Sequence, residues 1–331
     1  MLRRAALALL LAAACSQGAA PAEHSRRVVY RVEDLTGSSP RTTTQVVEVA
    51  SPYRARLLTR EGATSLGGLA WDVDHTYLVG ADGAVSVIAA VAPQFAGASL
   101  NLGVALASAQ RHALVVRGGS ARVGGRDCAL WSSKDPLDSG PVQPPAGGDV
   151  TVSCVAANGL LLDEQWSLKG KVVRRRTATQ VEAGPSLAGG ALLDGRTPGP
   201  ATAQAVEQVK QVSLATLVHA LGVPSPAAPV GLRFDRSVAV IQSGAAGAVD
   251  VEGGVFAWTD GKRLVVLRLE RGLTRRLSVP DEGVAVARGR LSPVPAGLRV
   301  RFKGGSGLVA TVTANVPEDV LLAWVSALDV G

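Results

Sequence analysis

The sequence predicts a mainly β, α+β protein made of two antiparallel β domains. Apolar and polar residues alternate in short runs along most of the chain, the pattern of half-buried strands. Gly, Pro and small residues fill the stretch from Ala183 to Pro200 and return at "VPSPAAP", which places a domain boundary between two sets of strands. The chain closes on an amphipathic helical pattern rather than on a strand.

The first segment reads as an export signal. Arg3 and Arg4 precede an apolar run from Ala5 to Ala14, half the roughly 20 residues that a membrane-spanning helix needs. Cys15 follows Ala12, Ala13 and Ala14, the small residues that a lipoprotein signal peptidase requires, although Ala12 stands where Leu is usual. Cleavage there makes Cys15 the lipidated first residue, and its acyl chains hold the protein on a membrane. The alternative is ordinary cleavage after Ala14 or Ala20, with Cys15 incidental. Residues 15–26 then form a lipidated tether after a signal peptide over 1–14. Cys128 and Cys154 remain as an even pair in an exported chain, and a disulfide between them is expected. With four scattered histidines, no metal site is expected.

Strands are expected at "RRVVYRVED", "TTTQVVEVAS", "YRARLLTR", "GLAWDVDHTYLVG" and "GAVSVIAAVA", separated by turn residues at Gly37 to Pro40, Glu61-Gly62 and Asp82-Gly83. That spacing is a meander, and the helical pattern from Ser99 to His112 is its expected cover. Alternation places Val28, Tyr30, Val32, Val47, Val49, Leu69, Trp71 and Val73 on inward faces, as the lining of an apolar cavity or as plain core. After Cys154, "NGLLLDEQWSLKGKVVRRRTATQVE" reads as two strands joined at Lys169-Gly170, and its basic run reads as a solvated strand edge.

The first domain is therefore placed at 27–182, and a Gly/Pro-rich linker with a helix at 183–229. Thr202 caps that expected helix, Val206, Val209, Leu217 and Leu221 form its stripe, and Gly222 and Pro224 stop it. The second domain, 230–331, contributes strands at "SVAVIQS", "VEGGVFAWTDGKRLVVLRLERG", "VAVARGRLS", "AGLRVRFKGG" and "GLVATVTA". Its last helix starts near Pro317, carries Glu318 and Asp319 at its positive end and buries Leu321, Trp324, Val325 and Leu328.

No catalytic motif occurs: nucleophile elbow, phosphate loop, dinucleotide fingerprint and metalloprotease helix are all missing, and "DGKR" at Asp260 lacks the spacing of a phosphate loop. The carboxylate pairs Asp72/Asp74 and Asp163/Glu164 are explained by a wet strand face and a turn. The expectation is a binding protein without cofactor rather than an enzyme. The formal charge of +7 falls by two once the leader is removed, and 4% aromatic residues argue against a base-stacking surface, so an acidic partner or anionic lipid is favoured over nucleic acid.

Several motifs share an order with one family. "RVGGRDCALW" at Arg122, "NGLLLDEQWSLKGKVVRRR" at Asn158, "VFAWTDGKRLVVLRLERG" at Val255 and the closing "TANVPEDVLLAWVSALDVG" resemble the RseB/MucB family of sigma-E regulatory proteins, in the LolA/LolB-like superfamily. Gly124 stands where the family has Ala, Trp258-Thr259 where it has Tyr-Ser, and Lys262 where it has Leu. The resemblance implies an N-terminal LolA/LolB-like unclosed antiparallel β-barrel with covering helices, and a smaller C-terminal antiparallel sheet with a terminal helix. It also implies a membrane anti-sigma factor as partner, an acyl lipid or lipoprotein as ligand, and an extracytoplasmic, membrane-anchored location. A ligand that prefers the free protein weakens such a complex by the same factor. The other function compatible with the fold is a LolA- or LppX-type lipid or lipoprotein carrier.

Overall fold

Period-two runs become strands wherever a neighbour supplies the missing hydrogen bonds, and here they assemble into two open antiparallel sheets. The computed structural model describes residues 25–51, 54–72, 75–90, 102–133, 150–184, 186–199, 208–243, 249–271, 283–294, 297–305 and 307–330. Cys15, Val73 and the start of the expected cover helix at Ser99 lie outside them.

The first sheet is two meanders laid side by side. One runs through β1 (Arg26–Asp34), β2 (Arg41–Ser51), β3 (Arg54–Glu61), β4 (Thr64–Trp71), β5 (His75–Val79) and β6 (Val85–Ala90). The other runs through β7 (Val115–Val123), β8 (Arg126–Ser133), β9 (Val150–Val155), β10 (Leu161–Leu168) and β11 (Lys171–Ala183). Pairing of β1 with β11 joins them into eleven strands whose free edges are β6 and β7, so the sheet is not closed. These edges are consecutive in the chain, and the connection between them carries α1 (Gly103–Arg111) from one side of the sheet to the other. Gly103 opens that helix rather than interrupting it.

Turn chemistry fixes the hairpins. Lys169 (φ 51°) and Gly170 (φ 75°) both take the left-handed conformation that a two-residue hairpin turn demands, as the Lys-Gly pair predicts. At the tip of the hairpin between Thr259 and Leu264, Asp260 accepts the backbone N–H groups of Arg263 and Lys262 and the Arg263 side chain, which hold its carboxyl at about 2. "DGKR" is thus a hairpin turn.

The second sheet repeats the plan with β12 (Gln208–Val212), β13 (Arg233–Ser243), β14 (Val249–Thr259) and β15 (Leu264–Arg271) in one run. The other run holds β16 (Val284–Ala285), β17 (Arg290–Val294), β18 (Gly297–Lys303) and β19 (Leu308–Ala314), and β15 pairs with β19 to make eight strands. Two helices cover one of its faces: α2 (Leu214–Leu221) and α3 (Glu318–Ala327). Leu217 of α2 sits so close to Gly254 that a Cβ there would come within 2.7 Å of it. Arg288 donates to the carbonyls of Val325 and Leu328, satisfying the end of α3, and lies over the Phe302 ring.

Two expectations are corrected. Within the helix expected from Thr202, Gln208–Val212 is instead an edge strand paired with β13 and only α2 is helical, capped by Ser213, which accepts from the Thr216 N–H, and ended by Gly222 at φ 66°; Thr202 and Val206 lie outside the described residues. Strand and helix from the expected linker thus belong to the second sheet. The run "KGKVVRRR" is no solvated edge either, because β11 lies between β1 and β10. In a strand, Arg175 faces away from Arg174 and Arg176. Arg175 pairs with Asp163 at 3.1 Å, while Arg176 is 2% exposed.

α1 ties the sheets together. Leu102, Leu106 and Ala109 pack with Val115, Trp131, Val155 and Leu161 of the first sheet. Val104, on another side of the helix, packs into the core of the second. At the end of α1, Arg111 and the ring of His112 each lie 3.0 Å from the Glu318 carboxylate at the start of α3. Burial alone would raise the Glu318 carboxyl, but the neighbouring Ser108 hydroxyl, the His112 ring and the Arg111 charge together hold it below its ordinary value.

Candidate functional site

The described residues expected to face inward, all of them but Val73, share one apolar face of the first sheet. Val28, Tyr30 and Val32 on β1 and Val47 and Val49 on β2 are all buried, in one cluster with Ala55, Leu57, Leu160, Leu162 and Ala178. Cross-strand register brings them together: Val28 stands opposite Val47 on one side and Val181 on the other. Trp71 is half-buried against this cluster, and Leu69 is half-buried on the same strand. The Cys128–Cys154 disulfide belongs to the cluster too, linking the adjacent strands β8 and β9.

The apolar surface ends in a row of buried charge that alternation alone did not reveal. The Tyr30 phenol donates to the Leu161 carbonyl at 3.0 Å, and the Arg176 guanidinium lies 4.0 Å from the Tyr30 ring centroid. Register sets Arg176 opposite Glu164 on β10 and Val32 on β1, and Glu164, 0% exposed, lies within 3.4 Å of the Ser153 hydroxyl that donates to it. One pair further along, Arg174 stands opposite Trp166 and stacks on its ring at 5.7 Å. Burial holds the Arg174 guanidinium below the ordinary arginine range, Asp34 opposes that shift, and the like charge of Arg176 adds to it.

Gln45 Oε1, on a side chain opposite Tyr30, and Trp166 Nε1 have no hydrogen-bond partner among the described residues. Both residues are at most 3% exposed, so each atom is desolvated without compensation. Together these side chains form a buried apolar cluster with a buried polar and charged end.

The other carboxylates hold structure. Asp163 accepts from Arg175, Thr177 and Gln165 inside β10 rather than at a turn. Asp72 accepts the Tyr77 hydroxyl and the His75 backbone N–H, both at 2.7 Å, and Asp74 lies outside the described residues. Among the described residues, no three His, Cys, Asp or Glu side chains gather as a metal site, and no helix is long and apolar enough to cross a membrane.

No family model and no curated protein matches the chain. Solved structures similar to it include the MucA/MucB complex of Pseudomonas aeruginosa, at 18% identity over 91% of both chains with a TM-score of 0.33. MucB alone is similar at 19% identity over 94% of both chains, TM-score 0.30. A LolA superfamily protein from Nitrosomonas europaea is similar at 6% identity over 89% of both chains, TM-score 0.20.

Proposed function

We propose that the protein is an exported, lipid-anchored envelope-stress sensor that acts by binding, without catalysis: it holds the extracytoplasmic part of a membrane anti-sigma factor and yields it when an apolar, lipid- or lipoprotein-derived ligand occupies the first sheet. The observation that carries this reading is the second sheet, tied to the first through α1. A carrier needs the apolar surface of the first sheet alone; a regulator needs a second body that registers what the first has bound. The order of the RseB/MucB-like motifs across both sheets supports the same reading. Cys15 then serves to keep the protein beside a membrane-borne partner.

Native mass spectrometry of the full chain, extracted in mild detergent from its own host's membranes, tests this. A co-purifying single-span membrane protein is the expected result. Stoichiometric lipid with no protein partner sinks the regulator and leaves a carrier of the LolA or LppX type, the reading that the apolar surface and the desolvated Gln45 and Trp166 atoms favour by themselves.

Either reading makes Trp71 a contact for the ligand, since it is half-buried against the cluster. Trp71→Gln is expected to remove most of the co-purifying lipid while shifting Tm by no more than ~4 °C, about 1 kcal/mol for a chain of this size. A melting point that falls in step with the lipid would place Trp71 in the core instead.

A further inference from the structure

We infer that the β17–β18 end of the face of the second sheet turned away from α2 and α3, beside the buried patch that Val238, Val255, Ala257, Leu264 and Val266 form on that face, is a docking surface for an extended, acidic segment of a partner protein. Along β18, Leu298, Val300 and Phe302 enter the core beneath the helices. Arg299, Arg301 and Lys303, between and after them, therefore project from the opposite face. Register extends this array sideways: Arg301 stands opposite Arg290 on β17 and Thr311 on β19, and Thr311 stands opposite Arg268 on β15. Arg299 stands between Ser292 and Thr313.

Most of this charge is unopposed. Arg268 pairs with Glu270 at 2.6 Å, and Arg290 donates to the Gly283 carbonyl. Among the described residues, no carboxylate pairs with Arg299, Arg301 or Lys303. Arg301 Nε is buried without a hydrogen-bond partner. Arg299 is reachable by solvent, yet the protein around it, and then the like charge of Arg301, disfavour its charged form. Cations that share a recess without a counter-charge repel one another, and a carboxylate placed between them removes that cost.

The spacing selects the shape of the occupant. Alternate residues of a strand are ~6.6 Å apart, which is also the distance between alternate side chains of an extended peptide. A segment with Asp or Glu at every second position, lying along β18, meets Arg299, Arg301 and Lys303 in turn, and the arginine forks take carboxylates two oxygens at a time. A flat bilayer reaches protruding cations, not an Arg301 whose Nε is already buried. The inference rests on the regulatory reading only in taking the occupant to be a protein; it adds the chemistry and the conformation of the bound segment.

Fluorescence anisotropy of a short labelled peptide of alternating Glu and Val, titrated with the full chain, is the test. The expected result is salt-sensitive binding that R299E/R301E weakens ~30-fold. R60E/R126E, the same charge change at exposed positions of the first sheet, leaves binding within about 2-fold. A Lys-Val peptide is expected to bind R299E/R301E in preference to the wild type, which shows that a weakened double variant is still folded. No binding of the Glu-Val peptide, or equal losses in both double variants, overturns the inference. So does a phosphatidylglycerol vesicle that depends on Arg299 and Arg301 when the peptide does not. Peptide binding with no membrane partner in the native spectra would sink the regulator alone, whereas a partner retained in full by R299E/R301E would sink this surface alone.

Discussion

Trp258→Ala is expected to lower the unfolding free energy by about 3–5 kcal/mol, the largest effect of any single substitution considered for the second sheet. The side chain is 1% exposed. Its ring stacks on Phe256 at 6.2 Å, meets Trp324 of α3 edge-on at 5.4 Å and meets Phe234 edge-on at 6.3 Å. Truncation therefore loses buried area and three ring contacts at once, and the cavity lies between a central strand and a helix that cannot both close on it. Trp324 is held from its other end by donating to the Ala227 carbonyl at 3.0 Å, which keeps α3 from collapsing inward. Urea unfolding followed by circular dichroism measures the loss; a value below about 1 kcal/mol would mean that the aromatic group is not the centre of this core.

Replacing both cysteines of the first sheet comes second. With a sequence separation of 26, the Cys128–Cys154 disulfide restrains the unfolded chain by ~3.5 kcal/mol in the chain-entropy treatment. The Cα atoms are 5.4 Å apart, within the ordinary range for a disulfide, and Leu130 stands directly opposite Cys154, so the bond spans strands that register already holds together. C128A/C154A keeps the site apolar and isolates the loss of the cross-link. The wild type is expected to lose as much stability in reductant as the double variant loses without it, and reductant should leave the double variant unchanged. Equal stability of the wild type with and without reductant would contradict this.

The strands and most turns were legible because each is encoded locally: period two gives a face, and Lys169-Gly170 or Asp260-Gly261 gives a turn. What could not be read depends on partners distant in the chain. Val209 fits a helical stripe with Leu217 and Leu221 only because a short edge strand offers too few alternations to declare itself, and pairing with β13 decides the outcome. Three adjacent arginines look solvated until β11 is known to be central; Tyr30 and Glu164, which surround Arg176, come from β1 and β10. From the sequence Glu318 complements its own helix dipole, yet it also receives Arg111 and His112 across a chain separation of about two hundred residues. On the candidate site, alternation found the apolar surface and missed its charged end, because alternation records which side a residue faces and nothing about what waits there.

The position of α1 has a mechanical consequence. A helix with one side bedded in each of two sheets works as an axle: it can turn or slide only if both bearings give way together. Pressure on the first sheet that displaces Leu106 must therefore be felt at Glu318, and a load on the end of α3 must be felt at Trp131. Neither sheet can rearrange near this axle in private.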